Sequence, residues 1–118
     1  MPTSFSILNN EPDIRAFSTG QTIFAEGDTG DYLYYIIEGQ VEIRRNDRVL
    51  KTLLKGEIFG EMALLDASPR SATALAKQAV KAAAVNQKRF LQMIAGTPFF
   101  AVQVMQLMAD RLRHSNES

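Results

Sequence analysis

The sequence predicts a mainly β fold, a sandwich, roll or barrel, followed by C-terminal helices. Turn-forming residues recur about every eight to twelve residues from Ile14 to about Val85, and short β-rich segments lie between them. From Asn86 onward, helix-capping residues and long uninterrupted runs replace this pattern. We therefore expect a β region over about 14–85 and two helices after it.

Length and composition indicate one domain over residues 1–118. A chain of 118 residues, 46% of them hydrophobic, can bury a core without disulfides or metal. Cysteine is absent, which excludes disulfides and thiol catalysis. With 13 basic and 13 acidic residues the net charge is zero, so no overall field attracts nucleic acid or an anionic membrane. The sequence shows no secretory signal and no apolar run long enough to span a membrane. We therefore expect a soluble, cytoplasmic protein that contacts neither nucleic acid nor a membrane directly.

The β region divides into short strands. Tyr32–Ile37 is a continuous apolar run, which is typical of a strand buried on both faces, whereas residues 41–45 show alternation with period two. The expected strands cover residues 21–24, 32–38, 41–45, 49–54, 70–76 and 80–85.

Two helices are expected at the C-terminal end. Asn86 can cap a helix over about 87–95 that Gly96 ends, and Thr97-Pro98 is a start signal for a second helix over about 98–114. Between Phe99 and Ala109 only two glutamines are polar, so the apolar stripe is too wide for one surface to bury. Phe100, Val104, Leu107 and Met108 are expected in the core. The core is the simplest place for this stripe, and its excess width leaves contact of one part with another protein or a second copy as an alternative.

The segment over residues 59–76 places a carboxylate and a guanidinium nine residues apart with a turn between them. Arg70 can bind a phosphodiester as a bidentate fork. Gly60 allows close backbone approach, and residues 62–65 can form one helical turn whose N–H groups face an anion. Glu61 would repel a phosphate but suits a ribose hydroxyl. Phosphate and ribose together indicate a nucleotide.

This segment resembles the phosphate-binding cassette of cyclic nucleotide-binding domains, which occur in bacterial catabolite activators, protein kinase regulatory subunits and cyclic-nucleotide-gated channels. The matching residues are Phe59-Gly60-Glu61-x-Ala63-Leu64 and, after five residues, Arg70-Ser71-Ala72-x-Ala74-x-Ala76. Residues 26–28 and 32–41 are similar to the glycine-marked strands of the same family. The resemblance covers roughly residues 15–114, and several residue types at fixed spacing make it far more specific than a lone glycine motif.

The resemblance implies an eight-stranded antiparallel β-roll, a jelly-roll-like double-stranded β-helix, with flanking helices and the ligand inside it. Arg70 would pair with the cyclic phosphate, and Glu61 would accept the ribose 2′-hydroxyl. The cassette residues expected at the ligand are Phe59, Gly60, Glu61, Met62, Ala63, Arg70, Ser71 and Ala72. The base would meet the C-terminal helix, with Arg111 close to Glu61 and the Ser115 hydroxyl reaching adenine.

The implied function is a cyclic nucleotide sensor without catalytic activity and without a bound metal. Ser71, immediately after the cassette arginine, favours cAMP as the ligand, while cGMP stays open. The expected mechanism is closure of the cassette and the last helix over the ligand. A helix-turn-helix or membrane helices accompany the domain in some relatives and are not recognised in this chain. Its output is therefore expected to pass to a partner, a second copy or a further segment.

The same residues are compatible with other interpretations. Arg70 and Glu61 could form a plain salt bridge, and the β-roll could be a structural or dimerisation module that has lost its ligand. A metal-dependent enzyme of the cupin type is disfavoured, because His114 is the only histidine in the sequence. The glycines beside Glu57 and Glu61 disfavour a catalytic carboxylate pair. The acidic residues near Gly27 lack calcium-loop spacing and indicate a turn.

Overall fold

The computed structural model describes residues 5–66 and 68–117, which form eight strands and three α-helices. The elements are a 3₁₀ helix (Ser6–Asn10), β1 (Ile14–Phe17), β2 (Thr22–Phe24), β3 (Tyr32–Glu38), β4 (Val41–Arg45), β5 (Arg48–Leu53), β6 (Ile58–Phe59), α1 (Met62–Asp66), β7 (Thr73–Ala76), β8 (Val80–Asn86), α2 (Gln87–Gly96) and α3 (Pro98–Glu117). The predicted mainly β fold with C-terminal helices is confirmed.

The strands form two antiparallel sheets of four, in the orders β1-β8-β3-β6 and β2-β7-β4-β5. The first and last strands are neighbours, with Ile14 opposite Ala83. The chain crosses repeatedly from one sheet to the other, so β2 pairs with β7 rather than with β1. This is the predicted eight-stranded, jelly-roll-like β-roll.

Strand β3, inside the β1-β8-β3-β6 sheet, is buried on both faces. Tyr34 and Ile36 pack in a cluster with Val41 and Leu53 of the opposite sheet. Leu33 and Tyr35 point the other way and join a cluster that includes residues of the 3₁₀ helix, α1, α2 and α3. Because successive side chains of a strand face opposite sides, a strand between two cores must be apolar throughout. This explains the continuous apolar run in β3.

The β4–β5 hairpin turns through Asn46 and Asp47, whose φ angles are 52° and 64°. Two residues with positive φ form the hairpin turn whose twist matches that of the flanking strands, and Asn and Asp adopt it most readily after glycine. Within β4 the predicted alternation is incomplete, because Glu42 is buried and bound by Arg44.

The two C-terminal helices begin as predicted and end later. The Asn86 side chain accepts a hydrogen bond from the Arg89 N–H and caps α2. Gly96 is the last residue of α2 rather than the residue after it, and α3 continues to Glu117 instead of ending near 114.

The predicted strand over 70–76 is wrong in its first three residues, since β7 begins at Thr73. Arg70 is bonded instead to the loop that follows β2. Its N–H donates to the Asp28 carbonyl at 2.8 Å, and its carbonyl accepts from the Gly27 N–H at 2.8 Å. The loop therefore holds the Arg70 backbone at the edge of the roll.

Helix α3 is half core and half surface, as its wide apolar stripe predicts. Phe100 and Val104 are buried, and Leu107 and Met108 pack against the same cluster. Exposed apolar residues on its other side are Phe99, Val102, Met105 and Leu112. In the described part of the chain no single helix is long and apolar enough to cross a membrane; α2 and α3 meet that test only as a pair bent by 117°.

Candidate functional site

A cavity of about 910 Å³ lies between the β2-β7-β4-β5 sheet, the segment around α1 and the C-terminal part of α3. Nine of the ten residues predicted at the ligand line it: Phe59, Gly60, Glu61, Met62, Ala63, Arg70, Ser71, Ala72 and Arg111. The tenth, Ser115, belongs to α3, and its side chain lies outside the described residues. The structure thus brings the cassette and the last helix to one cavity.

Arg70 is a buried cation that forms no ion pair with a carboxylate among the described residues, although Asp31 and Asp28 attract its charge from nearby. Arg70 is 6% exposed, and none of the ion pairs found among the described residues includes its guanidinium. Its Nη1 donates to the Gly60 carbonyl at 2.8 Å and its Nη2 to the Tyr32 carbonyl at 2.7 Å. Nε is buried and has no acceptor among the described residues. Burial lowers the pKa of Arg70 below its usual value, although arginine stays charged.

Gly60 gives the chain the close approach that these contacts need. Its φ is +79°, a backbone conformation that residues other than glycine rarely adopt. A Cβ atom at this position would lie 2.7 Å from Arg70 Nη1. The glycine at residue 60 therefore allows the guanidinium to reach the backbone carbonyls.

Glu61 and Arg111 form a buried ion pair that joins the cassette to α3. Glu61 is 2% exposed, and its Oε1 accepts from Arg111 Nη1. Arg111 Nη2 also donates to the Ile58 carbonyl at 2.7 Å. Glu61 Oε2 and Arg111 Nε are buried without partners among the described residues. Burial lowers the pKa of Arg111, and nearby Glu57 opposes this effect.

The charges around the cavity favour an anion. Four cationic side chains line it (Arg45, Lys51, Arg70 and Arg111), together with three carboxylates (Glu57, Glu61 and Asp110). One positive charge is in excess, so a ligand with a single negative charge would neutralise the lining.

The short helix α1 begins at Met62, directly after Glu61. The first N–H groups of any helix lack partners within the helix. Here the Leu64 N–H is bonded to the Glu61 carbonyl at 3.1 Å. Met62 and Ala63 both line the cavity, so the beginning of α1 faces the space beside Arg70.

A second group of lining residues was not predicted from the sequence. Phe24, Ile43, Arg45, Leu50, Lys51, Leu53, Glu57, Ser68, Pro69, Leu107 and Asp110 also reach the cavity. The alternation of β4 puts residues 43 and 45 on one face, which was a usable signal for those two. Phe24 gave no local signal, because its contact with the cassette depends on the β2–β7 pairing.

Comparison with known proteins points to one family. The family model for the cyclic nucleotide-binding domain matches residues 14–97. The CRP-like cAMP-activated global transcriptional regulator of Mycobacterium tuberculosis is 31% identical over 99% of the chain and 54% of its own length. The chain spans about half the length of such curated relatives.

Solved structures resemble the fold as well. The catabolite activator protein of Thermus thermophilus matches with a TM-score of 0.83 and 36% identity, over 88% of this chain and 51% of the other. An EAL enzyme matches in its cAMP-bound form with a TM-score of 0.66 and 34% identity, over 89% of this chain and 30% of the other. Its cGMP-bound form matches with a TM-score of 0.65 and 35% identity, over 86% and 28%. The chain belongs to the cyclic nucleotide-binding domain family.

Proposed function

We propose that the domain senses cAMP by binding it in the cavity beside the cassette, and that it has no catalytic activity of its own. The observation that carries the proposal is the burial of Arg70, whose Nε lacks an acceptor and whose guanidinium forms no ion pair among the described residues, with Asp31 and Asp28 acting on it only from nearby. A buried cation is costly unless an opposite charge compensates it. A cyclic phosphate carries one negative charge and several acceptor oxygens, and it would accept hydrogen bonds from the guanidinium N–H groups that the two carbonyls do not use.

The Glu61 carboxylate supports a ribose as the neighbour of this phosphate. Its Oε2 is a buried acceptor that has no partner within the part of the chain that the structure describes, and Arg111 already engages Oε1. A ribose 2′-hydroxyl is a donor that can complete the carboxylate without adding charge. In this arrangement Glu61 recognises the sugar and Arg70 the phosphate, so ligands that lack either group bind more weakly.

Ser71 and the relatives favour adenine over guanine as the base. Ser71 lines the cavity, and a serine directly after the cassette arginine is the feature of the family resemblance that favours cAMP. The Mycobacterium relative is cAMP-activated by name, whereas the EAL enzyme has been solved with cAMP and with cGMP. We therefore expect cAMP to bind more tightly and cGMP to bind measurably.

Signalling is proposed to occur by closure of α3 and the cassette over the ligand. Leu107, Asp110 and Arg111 of α3 line the cavity together with the cassette. A ligand that contacts both elements stabilises the state in which they are close. The exposed apolar side of α3, formed by Phe99, Val102, Met105 and Leu112, could pass this change to a protein partner or a second copy.

The test is isothermal titration of the protein with cAMP and with cGMP. We expect saturable binding of both and a lower Kd for cAMP. Arg70→Ala should weaken cAMP binding by at least about tenfold, because it removes a charge-assisted fork from a buried anion. The matched control is Arg48→Ala, which removes an exposed arginine of β5 that does not line the cavity.

The outcomes separate the candidate functions. No heat with either nucleotide at high micromolar concentration would favour the structural or dimerisation module. Equal loss of affinity in Arg70→Ala and Arg48→Ala would show that Arg70 acts only through the net charge. An unchanged Kd in Arg70→Ala would refute the phosphate assignment.

A further inference from the structure

The guanidinium of Arg70 lies over the ring of Phe24. Arg70 Cζ is 4.0 Å from the ring centroid, well within the range of a cation–π contact. Phe24 is the last residue of β2, and both side chains line the cavity. Phe24 stands outside the cassette and was not among the residues that the sequence predicted at the ligand.

Phe24 is itself held by other aromatic rings. Its centroid lies 6.2 Å from that of Tyr34 and 5.9 Å from that of Phe59, both in tilted arrangements. Tyr34 and Phe59 stack on each other at 5.3 Å across the β3–β6 pair. The Phe24 ring that contacts Arg70 is therefore held in place by aromatic residues of the neighbouring strands.

Gly30 leaves the space that the guanidinium occupies. A Cβ atom at residue 30 would lie 2.8 Å from Arg70 Nε, 2.9 Å from Arg70 Cζ and 2.2 Å from the Ala63 Cβ. Its φ is outside the left-handed region, so the requirement at this position is space and not backbone conformation. A side chain here would push against Arg70 and α1 together.

We propose that Phe24 and Gly30 are positioning residues that fix the plane of the Arg70 guanidinium for the phosphate. The carbonyls of Gly60 and Tyr32 accept hydrogen bonds from the Nη atoms, and the Phe24 ring packs against one face of the guanidinium. Gly30 leaves open the space that Nε and Cζ occupy. A guanidinium held in one plane loses little conformational freedom when an anion binds, so its affinity is greater than that of a freely rotating arginine. The proposal rests on the proposed function.

The first test compares three variants by isothermal titration with cAMP. Phe24→Met fills a similar volume without a ring face, and we expect a loss of affinity of about five- to thirtyfold. Phe24→Tyr keeps the ring and should bind within about twofold of the wild type. Phe17→Met is the matched control, because Phe17 packs edge-on against the same Tyr34 but does not line the cavity. It should leave the Kd unchanged.

A double-mutant cycle separates positioning from a general structural role. Arg70→Lys keeps the charge but replaces the planar fork by a compact ammonium. If Phe24 acts by orienting the guanidinium, the loss caused by Phe24→Met should be at least about threefold smaller in the Arg70→Lys background. The same loss in both backgrounds would overturn the proposal, since Phe24 would then act independently of the guanidinium.

Gly30→Ala provides an independent variant if Phe24→Met does not fold. It should weaken cAMP binding, whereas Gly96→Ala should not, because a Cβ at Gly96 meets no atom within 4 Å and its φ is not left-handed. Wild-type affinity in Gly30→Ala or in Phe24→Met would overturn the inference and leave the proposed function intact. Absence of cAMP and cGMP binding to the wild type would refute the proposed function itself.

Discussion

Glu61 is a buried carboxylate that uses only part of its capacity to accept hydrogen bonds. Arg111 engages Oε1, while Oε2 has no partner among the described residues. An unpaired buried acceptor costs about 1–3 kcal/mol, so a donor supplied by a ligand would contribute favourably to binding. The ion pair with Arg111 holds this carboxylate at a position where Glu61 is 2% exposed. Oε2 is thus available to accept a hydrogen bond from a hydroxyl donor.

Glu61→Gln should weaken the binding of ribonucleotides more than that of 2′-deoxy analogues. The amide keeps the size of the side chain but lacks the charge that strengthens a hydrogen bond from the 2′-hydroxyl. We expect a loss of about three- to tenfold for cAMP and less than twofold for 2′-deoxy-cAMP, measured by competition binding.

Glu57→Gln is the matched control for this change. Glu57 also lines the cavity, but its Oε2 is occupied by the Leu54 N–H at 2.7 Å. The amide oxygen can keep that bond, and the loss of one negative charge from the lining should change the Kd of both ligands by the same factor, because neither ligand differs at a contact with Glu57. Equal losses of the ribo and deoxy ligands in Glu61→Gln would rule out the sugar role.

Two neighbouring residues at the start of α2 act on different elements. The Asn86 side chain accepts from the Arg89 N–H and caps α2. The Gln87 side chain instead donates to the Leu64 carbonyl of α1 at 3.1 Å. Leu64 is buried in the cluster that contains Phe90 and Phe100, so α1 is tied to the C-terminal helices by one polar and several apolar contacts.

We expect Asn86→Ala and Gln87→Ala to have similar effects on stability and different effects on binding. Each should lower the free energy of unfolding by about 1 kcal/mol, one through a lost helix cap and the other through a lost hydrogen bond. Only Gln87→Ala should weaken cAMP binding, by about two- to fivefold, because it loosens the cassette helix. Urea denaturation and calorimetric titration measure the two quantities. Equal affinity losses in the two variants would contradict the assignment.

The elements that the sequence predicted well are those with strong local signals. Asn86 and Thr97-Pro98 mark the starts of both C-terminal helices, and the apolar run of β3 follows from its position between two cores. Residues 70–72 were predicted as strand, because small residues leading into β7 carry no sign of their bonds to the β2–β3 loop. That pairing spans more than forty residues of sequence and depends on the roll as a whole.

The candidate site divides in the same way. The cassette residues follow one another in the sequence, so their spacing was enough to predict that they meet. Phe24, Lys51 and Asp110 come from three distant elements and reach the cavity only after the sheet curls and α3 packs against it. Their contribution therefore depends on tertiary structure that no local pattern encodes.

At the scale of the whole molecule, the cavity is lined by three different parts of the fold, namely a β-sheet, the cassette and α3. One sheet supplies residues of β2, β4 and β5, the cassette supplies Glu61 and Arg70, and α3 supplies Leu107, Asp110 and Arg111. The buried pair of Glu61 and Arg111 is a direct polar link between the cassette and α3. A ligand that contacts Glu61 therefore acts on both sides of this link.

Closure of α3 can be tested by hydrogen–deuterium exchange with and without cAMP. At labelling times of seconds to minutes, exchange reports local opening rather than global unfolding. We expect cAMP to slow exchange in the cassette, residues 60–72, and also at residues 105–111 of α3, because the ligand stabilises the state in which both are close. The exposed turn over residues 18–21 does not line the cavity and should exchange at the same rate in both samples.

The variant Arg70→Ala, at the same cAMP concentration, distinguishes binding from non-specific effects of the nucleotide, since it should show little protection in either segment. Protection confined to residues 60–72 in the wild type would mean that the ligand binds without drawing in α3. Binding would then stand, but closure would have to be abandoned as the signalling step. If the ligand draws the cassette and α3 together, cAMP should protect both segments in the wild type. Both protections should be lost together in Arg70→Ala.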